Sequence, residues 1–183
     1  MTNQKAGDEV SYSVTYLEMT NRPTYPYPPM PTGGPTVLLA ADTPPVWYFL
    51  NLYDAVGAEY EWTDQHDKPT SEVTAFLNDL GVTMFTLMRT GWTAGFFILD
   101  GRIAGECDLA YFGLVPDAVG LGLGKYLLHT AILMGWELPG VTKMTVNTNS
   151  LDHPRALPLY QKAGFTPVRR AEHKRILTRD RTH

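Results

Sequence analysis

Three glycines at alternate positions, Gly120, Gly122 and Gly124, stand between a strand-like stretch and an amphipathic apolar one, in the run Val119–Leu128. Glycine reaches backbone conformations closed to other residues and lets a ligand approach the main chain. The helix that follows offers unpaired N–H groups and a positive dipole end. The run predicts a loop that cradles an anionic, phosphate-bearing ligand at the mouth of a helix beginning near Leu123. A dinucleotide-binding turn does not fit. It needs Gly-x-Gly-x-x-Gly, whereas Lys125 or Leu127 occupies the third glycine position, and the next strand, about Thr142–Asn147, ends in Asn rather than an acid. Nor does a Walker-type loop, because Lys125 is not followed by Ser or Thr.

A second block follows at Asp152–Phe165, a short helix stopped by Gly164 and a strand beginning at Phe165. Together the two blocks resemble the GNAT superfamily of acyl-CoA-dependent N-acyltransferases. In that family the first block reads Gln/Arg-x-x-Gly-x-Gly/Ala and the second Asn-x-x-Ala-x-x-x-Tyr-x-x-x-Gly-Phe. Gly122 and Gly124 fill the loop glycines, and Ala156, Tyr160, Gly164 and Phe165 fill the second block at the family spacing. Val119 stands where Gln or Arg is usual, which removes a side-chain contact to the diphosphate and leaves the backbone cradle. His153 stands at the Asn position. By pattern the resemblance covers residues 83–170.

The resemblance implies an α/β (α+β) fold, a mixed, mainly antiparallel sheet of roughly six or seven strands with about four helices, whose fourth and fifth strands part to admit the pantetheine arm. With 183 residues, 44% of them apolar, the chain suits one domain over 1–183. The leading segment Met1–Gly7 lacks a secretory apolar core, no apolar run reaches bilayer-spanning length, and the lone Cys107 rules out an internal disulfide framework. A cytoplasmic protein is expected, without a membrane partner. Residues 1–164 hold nine Lys or Arg against seventeen Asp or Glu, and residues 165–183 hold six against two. An acidic body argues against a nucleic-acid partner and suits a cationic substrate. The basic residues Arg169, Arg170, Lys174, Arg175, Arg179 and Arg181 read as an edge strand and tail, or as contacts to cofactor phosphates. His66, His129, His153, His173 and His183 show no metal-ligand spacing, so no metal is expected.

Along the chain, Val10–Leu17 alternates as a first strand, and Arg22–Pro35, with six prolines, reads as a loop or surface wrap in which Tyr25 and Tyr27 can pack. Thr43 caps a predicted helix ending at Val56, and a second runs Thr70–Leu80. Thr83–Arg89 and Thr93–Leu99 form strands about a turn at Thr90–Gly91–Trp92, and Asp100–Gly101 signals a hairpin into a strand over Ile103–Val115. Regular alternation there puts Glu106, Asp108, Ala110 and Phe112 on one face and Cys107, Leu109, Tyr111 and Gly113 on the other. In the helix near Leu123, residues Leu123, Leu127, Ala131 and Met134 face the core and His129 is solvated. Asp152 suits a helix cap, Pro154 the first turn, and Pro158 is awkward inside a helix.

The resemblance assigns roles. Counting fourteen positions back from Gly122 reaches Asp108, the position of the family's strand-borne general base, with Glu106 as understudy; the alternative, held almost level, is that both bind a cationic amine or bridge to a neighbouring Arg. A backbone N–H around Phe112–Val115 stabilises the oxyanion. Leu114, Val115, Val119, Gly120, Leu121, Gly122, Leu123, Gly124, Lys125 and His153 hold acetyl-CoA, and Tyr160 protonates the departing thiolate. Tyr53, Tyr60 and Trp62 border the acceptor. The expected activity is acetyl transfer from acetyl-CoA to a primary amine of a small molecule by direct attack in a ternary complex, without a covalent intermediate on Cys107. The other readings are a catalytically weak coenzyme A sensor and an enzyme acting on a peptide or protein amine. Dimers are frequent in the family, so a homodimer is possible.

Overall fold

The computed structural model describes residues 3–182; Met1 and Thr2 of the leading segment and His183 of the histidine inventory lie outside the described residues. Strand β1 (Asn3–Gln4) pairs with the last strand, β9 (Arg181–Thr182), as a small separate ribbon. Between them come β2 (Glu9–Met19), β3 (Thr36–Ala41), α1 (Val46–Gly57), α2 (Thr70–Leu77), β4 (Val82–Arg89), β5 (Trp92–Asp100) and β6 (Glu106–Leu114). Then follow α3 (Leu123–Glu137), β7 (Lys143–Asn149), α4 (Ala156–Ala163) and β8 (Thr166–Ile176).

Seven strands form one sheet in the order β3-β4-β5-β6-β7-β2-β8. All neighbours are antiparallel except β6 and β7, whose parallel pairing requires the crossover through α3. On one face α1 and α2 bring Phe49 against Phe96 and Tyr111, and Phe76 against Tyr111. On the other, α3 buries Leu123, Leu127 and Ala131, and α4 sets Tyr160 against Phe112 and Phe165.

Several boundaries differ from expectation, each for a local reason. α1 begins at Val46 rather than Thr43: Thr43 lies at φ 43°, Pro45 takes the cap position, and no side chain caps the helix. α2 ends at Leu77, not Leu80, and Leu80 is exposed. Thr90 and Gly91 both have positive φ, as a tight two-residue hairpin turn requires. Asp100–Gly101 makes no such turn. Residues 101–105 form a longer loop, and Asp100 instead accepts bonds from Arg102, at 2.6 Å to Nη2.

The Pro-rich segment packs on α3. Tyr25 stacks on His129 at 4.2 Å and Tyr27 donates to Glu137 at 2.8 Å, so His129 is half-buried rather than solvated. The basic end serves internal pairing: Lys174 meets Glu9, Arg170 meets Glu172, and Arg181 donates to the carbonyls of Glu59 and Leu151.

Gly57 sits beneath Trp62. A Cβ there would come 2.2 Å from the indole Cδ2, far inside contact distance. Gly57→Ala is therefore expected to displace Trp62 and destabilise the fold by about 1–3 kcal/mol, read as a lowered denaturant midpoint.

Candidate active site

The sheet comes apart in its middle. β6 and β7 pair only at Glu106 with Lys143, Cys107 with Met144 and Asp108 with Thr145. Beyond this last rung the strands diverge, and the facing edges of β6 and β7 lose each other as hydrogen-bond partners. An open strand edge is a template for an extended amide chain.

At the same point β6 changes face. Leu99 pairs with Leu109 and Ile98 with Tyr111, which leaves Ala110 as an extra residue in a β-bulge. Regular alternation therefore fails past Ala110. Tyr111 and Gly113 join the face of Glu106 and Asp108, where Tyr111 meets α1 and α2, while Phe112 turns to the opposite face and meets Tyr160. The expected grouping of Asp108 with Ala110 and Phe112 is corrected by this bulge.

The wedge opens toward the glycine loop. Gly120 and Gly122 adopt φ of 89° and 75°, and nothing lies within 4 Å of where their side chains would be. Gly122 takes the cap position of α3 in the left-handed conformation. Among the described residues, the N–H groups of Gly120, Gly122, Leu123, Gly124 and Lys125 donate to no protein acceptor. Several free donors at a helix mouth over open space suit a diphosphate, and Lys125 is exposed beside them. Leu114 packs under this loop, its Cδ1 3.7 Å from where a Cβ on Gly124 would stand. Val119 and Leu121 project outward. The Val115 N–H donates to Ala94 O at 3.0 Å, so within the expected Phe112–Val115 donor segment it is already engaged.

Asp108 stands at the last rung. Thr145 Oγ1 donates to it across the strands at 2.6 Å. Burial pushes its carboxyl up to about 6; the Thr145 bond pulls the other way, and the Asp100 and Glu106 carboxylates add to the rise. Glu106 has a different setting: Lys143 Nζ lies 2.8 Å from it and also reaches Glu18 at 3.4 Å. Of the two carboxylates on this face, Asp108 is the one without a cationic partner. Both open into a cavity of about 570 Å³ whose other walls include Tyr16, Asp100, Asn147 and Arg169.

Tyr160 stands across the sheet, 6% exposed between Phe112 and Phe165. Burial raises its phenol well above the ordinary range, so it stays protonated at neutral pH. Cys107 is fully buried, on the face of the sheet away from Asp108, with its thiol pushed up to about 12 by burial.

No protein-family model matches the sequence, and no curated protein matches it either. Solved structures do match by shape. A GCN5-related N-acetyltransferase from Sphaerobacter thermophilus superposes with a TM-score of 0.59 at 16% identity, over 94% of this chain and 52% of that one. A tandem GNAT protein from the clavulanic acid biosynthesis pathway superposes with 0.62 at 15% identity, over 93% of this chain and 55% of the other. An aminoglycoside acetyltransferase from an uncultured soil metagenomic sample gives 0.56 at 14% identity, over 70% and 86% of the two chains. The chain has the GNAT fold. It spans about half the length of the first two structures, and at these identities the likeness is one of architecture.

Within the GNAT frame the expected site residues fall into two groups. Glu106 and Asp108 lie on the three rungs that join β6 to β7, Tyr160 packs on Phe112 of β6 beyond them, and the loop from Val119 to Lys125 follows β6 in the chain. The aromatic corner of Tyr53, Tyr60 and Trp62 forms the second group. Tyr53 is 3% exposed and packs against Trp62 and Tyr111. Trp62 donates from Nε1 to Asp152 at 3.1 Å and packs on Tyr111, spanning from β6 to the turn after β7. Tyr60 meets the ring of His153 at 6.1 Å. None of the three lines the cavity over Asp108. The corner is latched from behind by Glu61, a buried carboxylate that accepts bonds from the Thr178 N–H and hydroxyl.

His153 makes a local bond: its Nδ1 accepts from Arg155 N at 3.1 Å, an acceptor role that the usual Asn side chain can also fill. Asp152 does not cap α4, which starts at Ala156 with Arg155 before it; it accepts from Thr148 Oγ1, Asn149 N and Trp62. Pro154 accordingly precedes the helix. Pro158 falls at the third helical position, where an N–H would have no helical acceptor. Tyr16, Asp100, Asn147 and Arg169 also line the cavity; the sequence named Arg169 only as an edge-strand residue or phosphate contact and Asp100 only as a turn residue. Only alternation in β2 pointed toward Tyr16, and nothing in the sequence ties it to Asp108.

Proposed function

We propose that the chain, as one domain over 1–183, moves an acetyl group from acetyl-CoA to a primary amine of a small molecule by direct attack in a ternary complex. The observation that carries this reading is the position of Asp108: half-buried, bonded to Thr145 at the last rung before the strands part, with the cavity on one side and the wedge leading to the free amides of the glycine loop. The aminoglycoside acetyltransferase among the structural neighbours supports a small amine as acceptor.

The residues divide the work. Main-chain N–H groups of Gly120, Gly122, Leu123, Gly124 and Lys125 would hold the diphosphate, and the open edges of β6 and β7 would align the pantetheine amides. The bound carrier supplies an activated thioester. Asp108 accepts a proton from the ammonium form of the acceptor, directly or through water, and frees the nitrogen lone pair. Tyr160 gives its phenolic proton to the departing thiolate. Glu106 holds Lys143 and contributes charge rather than proton transfer. Cys107 faces away and takes no acyl group.

The test is release of free thiol from acetyl-CoA, followed with a thiol-reactive dye across pools of amines. Amine-dependent release supports transfer; titratable coenzyme A binding without any release makes the chain a sensor. Gly122→Val separates carrier binding from chemistry. Its φ of 75° is strained for a β-branched residue, so coenzyme A affinity in calorimetry should fall by about tenfold or more.

A further inference from the structure

Most charges around the cavity are matched in pairs. Glu106 and Glu18 share Lys143, and Asp100 grips Arg102. Two groups stand apart. Asp108 bonds the neutral hydroxyl of Thr145. Arg169 lies with its guanidinium carbon 3.6 Å from the centroid of the Tyr16 ring, and among the described residues it has no ion pair. Stacking satisfies the flat face of a guanidinium and leaves its in-plane N–H groups to bind a planar anion in a forked geometry. Asn147, opposite Tyr16 in the β2–β7 ladder, adds an amide to the same end of the cavity.

We propose that the acceptor is an amino carboxylate, its amine at Asp108 and its carboxylate at Arg169. This rests on the acyl-transfer reading and names the substrate class for it. The spacing decides against an α-amino acid. Tyr16 is two strands from Asp108 and two residues along, about 10–12 Å at the backbone, so after a hydrogen bond at each end the two charges of a bridging acceptor stand roughly 5–8 Å apart. An α-amino acid carries both groups on one carbon, whereas an ω-amino acid spans the distance. The charges also decide against a polyamine. Glu18 and Glu106 share one lysine and leave surplus negative charge near Asp108, where an ammonium belongs, but a second ammonium at the far end would face Arg169.

The experiment measures kcat/KM for acetylation of three acceptors of equal chain length: 6-aminohexanoate, hexylamine and 1,6-diaminohexane. The intact protein should prefer 6-aminohexanoate over hexylamine by about tenfold or more, the ordinary contribution of a charge-assisted bidentate pair. Arg169→Gln should bring that ratio close to one, and Arg169→Glu should turn the preference toward the diamine. Because each readout is a ratio within one variant, a partial loss of folded protein does not alter it. Equal rates for the amino acid and hexylamine, a preference that survives both substitutions, or a diamine preference in the intact protein overturns the assignment and leaves acyl transfer standing. Failure of all three acceptors and of a wider amine pool to release thiol removes the acyl-transfer reading itself, and this assignment with it.

Discussion

Tyr160→Phe is expected to lower turnover by about 10²–10⁴-fold while leaving coenzyme A affinity within a few-fold of the original. The substitution removes one oxygen and keeps the ring between Phe112 and Phe165, so packing persists. Burial keeps the phenol protonated throughout the working pH range, which suits a group that must donate a proton and then recover it. Single-turnover thiol release together with calorimetric coenzyme A binding gives the answer. An unchanged rate would remove Tyr160 from the chemistry and leave it as core.

Asp108→Asn should have the second large effect, and its sign differs between activity and stability. A base acts only when deprotonated, so the rate of the unaltered protein should rise with pH through about 6 and level off. The Asn variant should lose that limb and about 10²–10⁴-fold in rate. For stability, the folded-state value lies above the usual carboxylate value, the reverse of the common Asp case. The carboxyl therefore favours the fold when protonated at low pH, and that contribution is lost as pH rises from about 4 through about 6. Asn carries no charge to desolvate and can still accept from Thr145. Above pH 6 the variant should be more stable than the original, by on the order of 1–3 kcal/mol in denaturant unfolding. Loss of activity without that gain would mean that the carboxylate is better solvated than its position suggests.

What could be read from the sequence was local. Gly120 and Gly122 announced a positive-φ turn because glycine alone tolerates it cheaply, and Gly164 marked the end of α4 for the same reason. Tyr160 was reachable because the second block carries its own spacing. By contrast, β3 escaped notice: Val37–Ala41 is a short apolar run on the sheet edge with Val37 and Leu39 exposed, and it lacks the alternation that marks a half-buried strand. The bulge at Ala110 escaped because it is defined by pairing with Ile98 and Leu99, a partner twelve or so residues away. The cavity was hidden more deeply. Tyr16, Asn147 and Arg169 come from three strands, and only the registers of β2 against β7 and β8 bring them side by side.

The halves of the large sheet are stitched by three rungs, Glu106 to Asp108, and α3 and its flanking loops carry the chain across the seam. A guest lying in that seam as an extra strand would supply the missing rungs. Occupancy and cohesion of the sheet would then be the same quantity seen twice: such a guest would act as a temporary eighth strand, and slow amide exchange along β6 and β7 would count how often it is there.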